Sequence, residues 1–278
     1  MSHRTLIDAH QLQALLAAGP ATVLLDCGFD LSDPAAGNRA YAAGHLPGAL
    51  YAQLDRDLAG HKTGANGRHP LPAFSDFAAR AGGWGIGPGT PVVCYDDQGG
   101  VYAARAWWLL RWLGHTEVAV LDGGRAAWLN AGGALHIDTP TVNARPPYPA
   151  NTPAMPTVDT AALKRQLGVT LLLDARAPER FRGDTEALDP VAGHIPGASN
   201  RFFKLNLAAD GRFKRAAQLR EEFLQLGSTA DVVHQCGSGV TACHNLLAMA
   251  HAGLPAGALY PGSWSEWCSD PTRPVARG

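Results

Sequence analysis

The sequence repeats itself, and that duplication limits the possible folds more than any other feature. Val23-Leu24-Leu25-Asp26 returns as Leu171-Leu172-Leu173-Asp174. Gly44-His45-Leu46-Pro47-Gly48-Ala49 returns as Gly193-His194-Ile195-Pro196-Gly197-Ala198. Val92-Val93-Cys94-Tyr95 aligns with Val232-Val233-His234-Gln235, and the segment from Leu121 to Trp128 aligns with that from Tyr260 to Trp267. The order is the same in both copies while the offset falls from 149 to 139, so elements match and loops differ. Between the copies, residues 139–156 hold six prolines, which predicts an extended, semi-rigid linker. The expected organisation is therefore a first domain over 1–138, a linker over 139–156 and a second domain over 157–278.

Each copy alternates short apolar runs with amphipathic stretches. Residues 23–25, Val92–Tyr95 and 118–121 predict strands buried on both faces of a parallel sheet. Residues 8–18 predict a helix capped by Asp8 and stopped by Gly19-Pro20, and 157–167 predict its counterpart. Residues 102–113, ending at Gly114, match 240–252, ending at Gly253. The fold class is α/β: two tandem domains, each a central parallel sheet flanked by helices. Active sites of such sheets lie beyond the carboxyl ends of the strands. Chemistry is thus expected after Gln235.

Composition narrows the function classes. A formal net charge of -1 among 278 residues provides no electrostatic basis for binding nucleic acid or an anionic membrane, and no apolar run approaches a membrane span. The N-terminus lacks the continuous apolar core of a secretory signal and is read as mature sequence. Five cysteines at irregular spacing argue against a disulfide framework and for a reducing, cytoplasmic compartment.

The loop after Gln235 runs Cys236-Gly237-Ser238-Gly239-Val240-Thr241-Ala242. A cysteine at a strand end, glycines that let the chain curl, and a helix starting at once would aim backbone N–H groups at the sulfur and stabilise a thiolate. A core thiol beside a glycine turn is the alternative. The duplication favours the reactive thiol, because the matching residue of the first copy is Asp96, and an apolar core position would not accept a carboxylate. A phosphatase loop would need an arginine six residues after the cysteine, where Ala242 stands. His234, Cys236, Cys243 and His244 lack zinc-site spacing, and Cys236 with Cys243 lacks the Cys-x-x-Cys redox signature. No metal or organic cofactor is indicated.

This loop, the tandem copies, both Gly-His-x-Pro-Gly-Ala motifs and the segment Gly262-Ser263-Trp264-Ser265-Glu266-Trp267 resemble the 3-mercaptopyruvate sulfurtransferases of the rhodanese superfamily. The resemblance implies a ping-pong transfer in which Cys236 becomes a persulfide, held by the amides of Gly237, Ser238, Gly239, Val240 and Thr241. It implies a proton relay of Ser238, His69 and Asp55, and an Arg180 that grips the carboxylate of the donor. The two residues after the cysteine are Gly237 and Ser238, where thiosulfate-preferring relatives carry Arg and Lys, which favours a monoanionic keto acid. The family's second carboxylate-binding arginine has no counterpart between Asp184 and Pro190; Arg182 is the nearby candidate to replace it. The first domain is expected to be non-catalytic. Expected partners are a small-molecule sulfur donor, a thiol or cyanide acceptor and a thioredoxin-type reductant. A thiosulfate sulfurtransferase and a persulfide carrier are the alternative readings.

Overall fold

The repeated segments Val23–Asp26 and Leu171–Asp174 form equivalent strands, each lying inside its own sheet. The computed structural model describes residues 3–19, 21–227, 229, 231–255 and 257–278. Met1, Ser2 and the predicted helix stop at Pro20 lie outside the described residues. Contacts divide the chain into two compact units, one of Met1–Ala59, Pro72–Met155 and Ala209–Phe213, the other of Gly60–Leu71, Pro156–Ala208 and Lys214–Gly278.

In the first unit the strands are β1 (Leu6–Ile7), β2 (Val23–Asp26), β3 (Leu50–Tyr51), β4 (Val92–Tyr95) and β5 (Val118–Leu121), in the order β1-β5-β4-β2-β3 and parallel throughout. In the second they are β6 (Leu171–Asp174), β7 (Ala198–Asn200), β8 (Val232–Gln235) and β9 (Ala258–Leu259), in the order β7-β6-β8-β9 and again parallel. Register is preserved between the copies: Val23 pairs with Val92 as Leu171 pairs with Val232, and Asp26 pairs with Tyr95 as Asp174 pairs with Gln235. Every residue of β4, β5 and β8 is buried, as expected for strands covered on both faces.

Helices follow their sequence signals. Asp8 Oδ1 accepts from Gln11 N at 2.8 Å and Asp8 N donates to Gln11 Oε1 at 3.0 Å, a capping box opening the helix Ala9–Ala17. Its counterpart is shorter than the 157–167 expected and covers Thr160–Gln166, capped by Asp159. Residues 157 and 158 extend beside β9 instead, with Val158 N donating to Leu259 O at 2.9 Å. Backbone pairing wins there because it satisfies amides that the first turn of a helix would leave free.

The repeated histidines act within the fold. His45 pairs its backbone with His136 and stacks on Tyr41, while His194 pairs with Ala276 and stacks on Phe181. The proline-rich segment hydrogen-bonds along the first unit: Arg145 N to Gly82 O, Tyr148 N to Ala78 O and Ala154 N to Trp112 O, each at 2.8 Å. Trp264 and Trp267 are fully buried in the second core with Leu163, Ile195 and Tyr260. Among the described residues, no helix is long and apolar enough to cross a membrane.

Candidate active site

β8 ends at Gln235 and the chain curls at once around Cys236, which is 2% exposed. Its Sγ accepts from Gly239 N at 3.1 Å. Gly239 has φ +77°, and a β-carbon there would lie 2.5 Å from Pro261 O, so only glycine fits this curl. The helix Thr241–His251 follows with no side-chain cap on its N-terminus, adding positive potential beside the sulfur.

The turn after β9 grips the loop from outside. Ser263 Oγ accepts from Cys236 N at 3.1 Å and donates to Tyr260 O at 2.9 Å. Trp264 N donates to Cys236 O and Ser265 N to Gly237 O, at 3.0 and 2.9 Å. Ser263 has φ +54°, an uncommon value for a side-chain-bearing residue, whereas the matching Gly124 of the first unit has φ +56°. The second copy accepts strain at this position and gains the hydroxyl that fixes the cysteine amide. Ser263→Gly is therefore expected to leave thermal stability nearly unchanged, because relieved strain offsets the lost bond, while lowering turnover about tenfold by loosening the loop. Thermal melts with parallel rate assays check this, and unchanged turnover would remove Ser263 from the site.

The first unit shows what this curl of backbone is built to hold. Asp96, the counterpart of Cys236, accepts from four amides: Gln98 and Gly100 on Oδ1, Tyr102 and Ala103 on Oδ2, all between 2.8 and 2.9 Å. A buried position shared by the two copies was expected to refuse a carboxylate. Asp96 is nonetheless 2% exposed; burial pushes its pKa up, and the four amide bonds work against that rise. The two copies thus place a carboxylate and a thiol at equivalent positions, the carboxylate within a ring of four amides and the thiol against the amide of Gly239.

Around Cys236 the second unit assembles further groups. The segment 60–71 is closed by Gly60 N to Pro70 O at 2.9 Å and held by Arg68 N to Ser265 Oγ at 3.0 Å. This brings His69 Nδ1 within 2.7 Å of Ser238 Oγ, both side chains being buried. Arg180, in the helix Pro178–Arg182, bonds Glu186 through Nη2 at 2.7 and 2.9 Å and Asp189 at 3.3 Å. Asp189 also pairs with Arg68. Burial raises the pKa of Asp189 and Arg68 opposes the rise; for Glu186 burial also works upward, but the bonds from Arg180 and neighbouring amides leave its pKa lowered.

Of the predicted site residues, the second unit brings together Cys236, Gly237, Ser238, Gly239, Val240, Thr241, His69 and Arg180. Asp55 belongs to the first unit, in the short helix Leu54–Asp57. Arg182, the candidate replacement arginine, pairs with Asp184 at 2.7 Å with its side chain half exposed. Arg68 stands at the loop instead: a β-carbon built on Gly237 would lie 2.8 Å from Arg68 Nη2 and 3.6 Å from Arg180 Nη1. Sequence reasoning also missed Ser263 and Asp189. Ser263 had a signal in the repeat, as the serine opposite Gly124; Asp189 had none. Cys243 is fully buried and donates to Gly239 O, while His234 lies against Met249.

A family model described as the rhodanese-like domain matches residues 8–131 and again 158–270. The chain belongs to the rhodanese family. It is 49% identical, over the full length of both chains, to a probable 3-mercaptopyruvate sulfurtransferase of Pseudomonas aeruginosa. It is 42% identical to a putative thiosulfate sulfurtransferase of Mycobacterium tuberculosis, over 99% of this chain and 98% of the relative. Among solved structures, a 3-mercaptopyruvate sulfurtransferase from Leishmania major superposes with a TM-score of 0.83 at 30% identity, over 95% of this chain and 74% of that chain.

Proposed function

We propose that this enzyme is a sulfurtransferase that moves the sulfur of 3-mercaptopyruvate to a thiol or cyanide through a persulfide on Cys236. The observation that carries the reading is a buried cysteine whose sulfur accepts from the amide of Gly239, with Ser238 of the same loop 2.7 Å from His69. The Cys236 thiolate attacks the donor sulfur and forms an S–S bond. The donor C–S bond breaks, and its electron pair leaves on carbon as the enolate of pyruvate. The proton of the donor thiol stays with the new persulfide or passes to solvent. The enolate takes a proton delivered through Ser238 from His69. An acceptor nucleophile such as cyanide then attacks the outer sulfur and releases thiocyanate, returning the Cys236 thiolate. Dividing one transfer into two steps, each with the developing charge held by backbone amides, is what lowers the barrier.

A carbon leaving group needs that proton and sulfite does not. Ser238→Ala is accordingly expected to lower kcat with 3-mercaptopyruvate by about a hundredfold, the scale of general acid catalysis, and to change kcat with thiosulfate by less than about threefold. His69→Ala should follow the same pattern. Equal losses with both donors would contradict a relay and make the pair structural.

Thiosulfate as the physiological donor is the second reading, favoured by the guanidiniums at Gly237 and by the name of the mycobacterial relative. A thioredoxin-type reductant belongs among the proposed acceptors, and the cytoplasm is the proposed compartment. The first domain, over 1–138, is proposed to be non-catalytic because Asp96 cannot carry a persulfide. The catalytic domain over 157–278, after the 139–156 linker, would take His69 from the segment 60–71. Asp55 is proposed as the third member of the relay.

A further inference from the structure

The two guanidiniums beside Gly237 belong to a larger charged cluster. Arg68, Arg176 and Arg180 face Asp174, Glu186 and Asp189, with each carboxylate within 4 Å of a guanidinium. Their exposure is uneven. The carboxylates of Glu186 and Asp189 are 3% exposed, while the side chains of Arg68 and Arg180 are 25% and 22% exposed. The two guanidiniums therefore face whatever enters at Gly237, with the two carboxylates behind them. Asp189 is the member that touches both, bonding Arg68 through one oxygen and Arg180 through the other. The 121 residues separating Asp189 from Arg68 make this a contact that the fold creates, not one of local sequence.

We propose that Asp189 is a specificity-determining residue that sets the charge felt by an incoming donor, holding two guanidiniums at the entrance while cancelling one of their charges. The inference rests on the sulfurtransferase reading for the identity of the donors. A monoanionic keto acid needs a local donor of hydrogen bonds and little net charge; it finds Arg68 and Arg180 held in place. A dianion such as thiosulfate gains more from each unit of net positive charge and is therefore disfavoured by the buried carboxylates. Asp189 is a positioning residue in this account, since it acts through Arg68 and Arg180.

Asp189→Asn preserves shape and one acceptor oxygen while adding one positive charge to the cluster. Between a dianion and a monoanion the added charge should shift the ratio of kcat/KM for thiosulfate over 3-mercaptopyruvate upward by about tenfold, or about 1.4 kcal/mol. A control with the same change in net charge, Glu221→Gln on the exposed side of the helix Ala216–Leu224, should leave the ratio unchanged. If Asp189 served only to hold the arginines in place, the ratio in Asp189→Asn would stay at the wild-type value as both efficiencies fell together, and the proposal would be overturned.

Alkylation of Cys236 supplies a readout that needs no sulfur transfer. The thiolate displaces iodide from anionic iodoacetate or neutral iodoacetamide, and the ratio of the two rates reports the potential at the sulfur. Asp189→Asn should raise the iodoacetate-to-iodoacetamide ratio severalfold; an unchanged ratio would overturn the charge assignment. Should the wild-type protein turn over neither donor, the sulfurtransferase reading fails while the alkylation ratio still decides the role of Asp189.

Discussion

Replacing Cys236 by serine is expected to abolish sulfur transfer from every donor, by at least about a thousandfold in kcat, because the chemistry runs through a covalent bond that oxygen does not form under these conditions. The fold should survive. Cys236 is 2% exposed in a site shaped by glycines and by the turn that begins at Gly262, and serine is smaller and equally able to accept from Gly239 N. A change in unfolding free energy within about 1 kcal/mol is expected for so conservative an exchange. Cys243 is fully buried and its Sγ points back to Gly239 O, so its loss should affect stability more than chemistry. If Cys243→Ser abolished turnover and Cys236→Ser did not, the assignment of the nucleophile would be reversed.

The second large effect belongs to the non-catalytic copy. Asp96→Asn should destabilise the first unit by about 2–4 kcal/mol, because an amide nitrogen in place of one carboxylate oxygen leaves two backbone donors facing a donor, each a buried unsatisfied group costing about 1–3 kcal/mol. Relief of the buried charge offsets part of that cost, which is why the expected figure lies below the sum of two full penalties. Two of the four amides, those of Tyr102 and Ala103, stand at the start of the helix Ala103–Trp112, whose residues are almost all buried, so the loss propagates into the core. Urea unfolding followed by tryptophan fluorescence measures it, as Trp107, Trp108 and Trp112 lie on that helix. An Asp96→Asn protein as stable as wild type would mean that the amide ring does not depend on an anion at its centre, and the parallel drawn with Cys236 would lose its basis.

The elements that can be seen in the sequence are those with a local or repeated signature. β2, β4 and β6 were legible because a strand buried on both faces is a short, mostly apolar run; β8, which ends in His234 and Gln235, was legible because it occupies the place of β4 in the repeat. The Cys236 loop was legible because strand, cysteine, glycines and helix follow one another without interruption. Short strands such as β3 and β9 were not, since Leu50–Tyr51 and Ala258–Leu259 are only two residues each. Their strand state comes from pairing with β2 and β8, not from their own composition. The helix expected from 157 starts later because Leu259 offers Val158 a better backbone partner.

The candidate site divides along the same line. Ser238 adjoins the cysteine, and His69 was reached through family resemblance alone; the geometry behind that choice is the bond between residues 169 positions apart. Arg68 sits one residue before His69, yet the search for a second cation went to Arg182, close in sequence to Arg180. Arg182 pairs with Asp184, and the position beside Gly237 is filled by Arg68. The second guanidinium beside Gly237 is delivered by the segment 60–71 and pairs with Asp189, a placement that closeness along the chain does not indicate. No periodicity or spacing rule connects two such residues.

Mass spectrometry of the protein incubated with 3-mercaptopyruvate in the absence of an acceptor tests the central claim most directly. The account predicts the added mass of one sulfur atom on the peptide containing Cys236, removed by cyanide with formation of thiocyanate. Sulfur found only on Cys243 or Cys268, or an added mass that cyanide fails to remove, would contradict it.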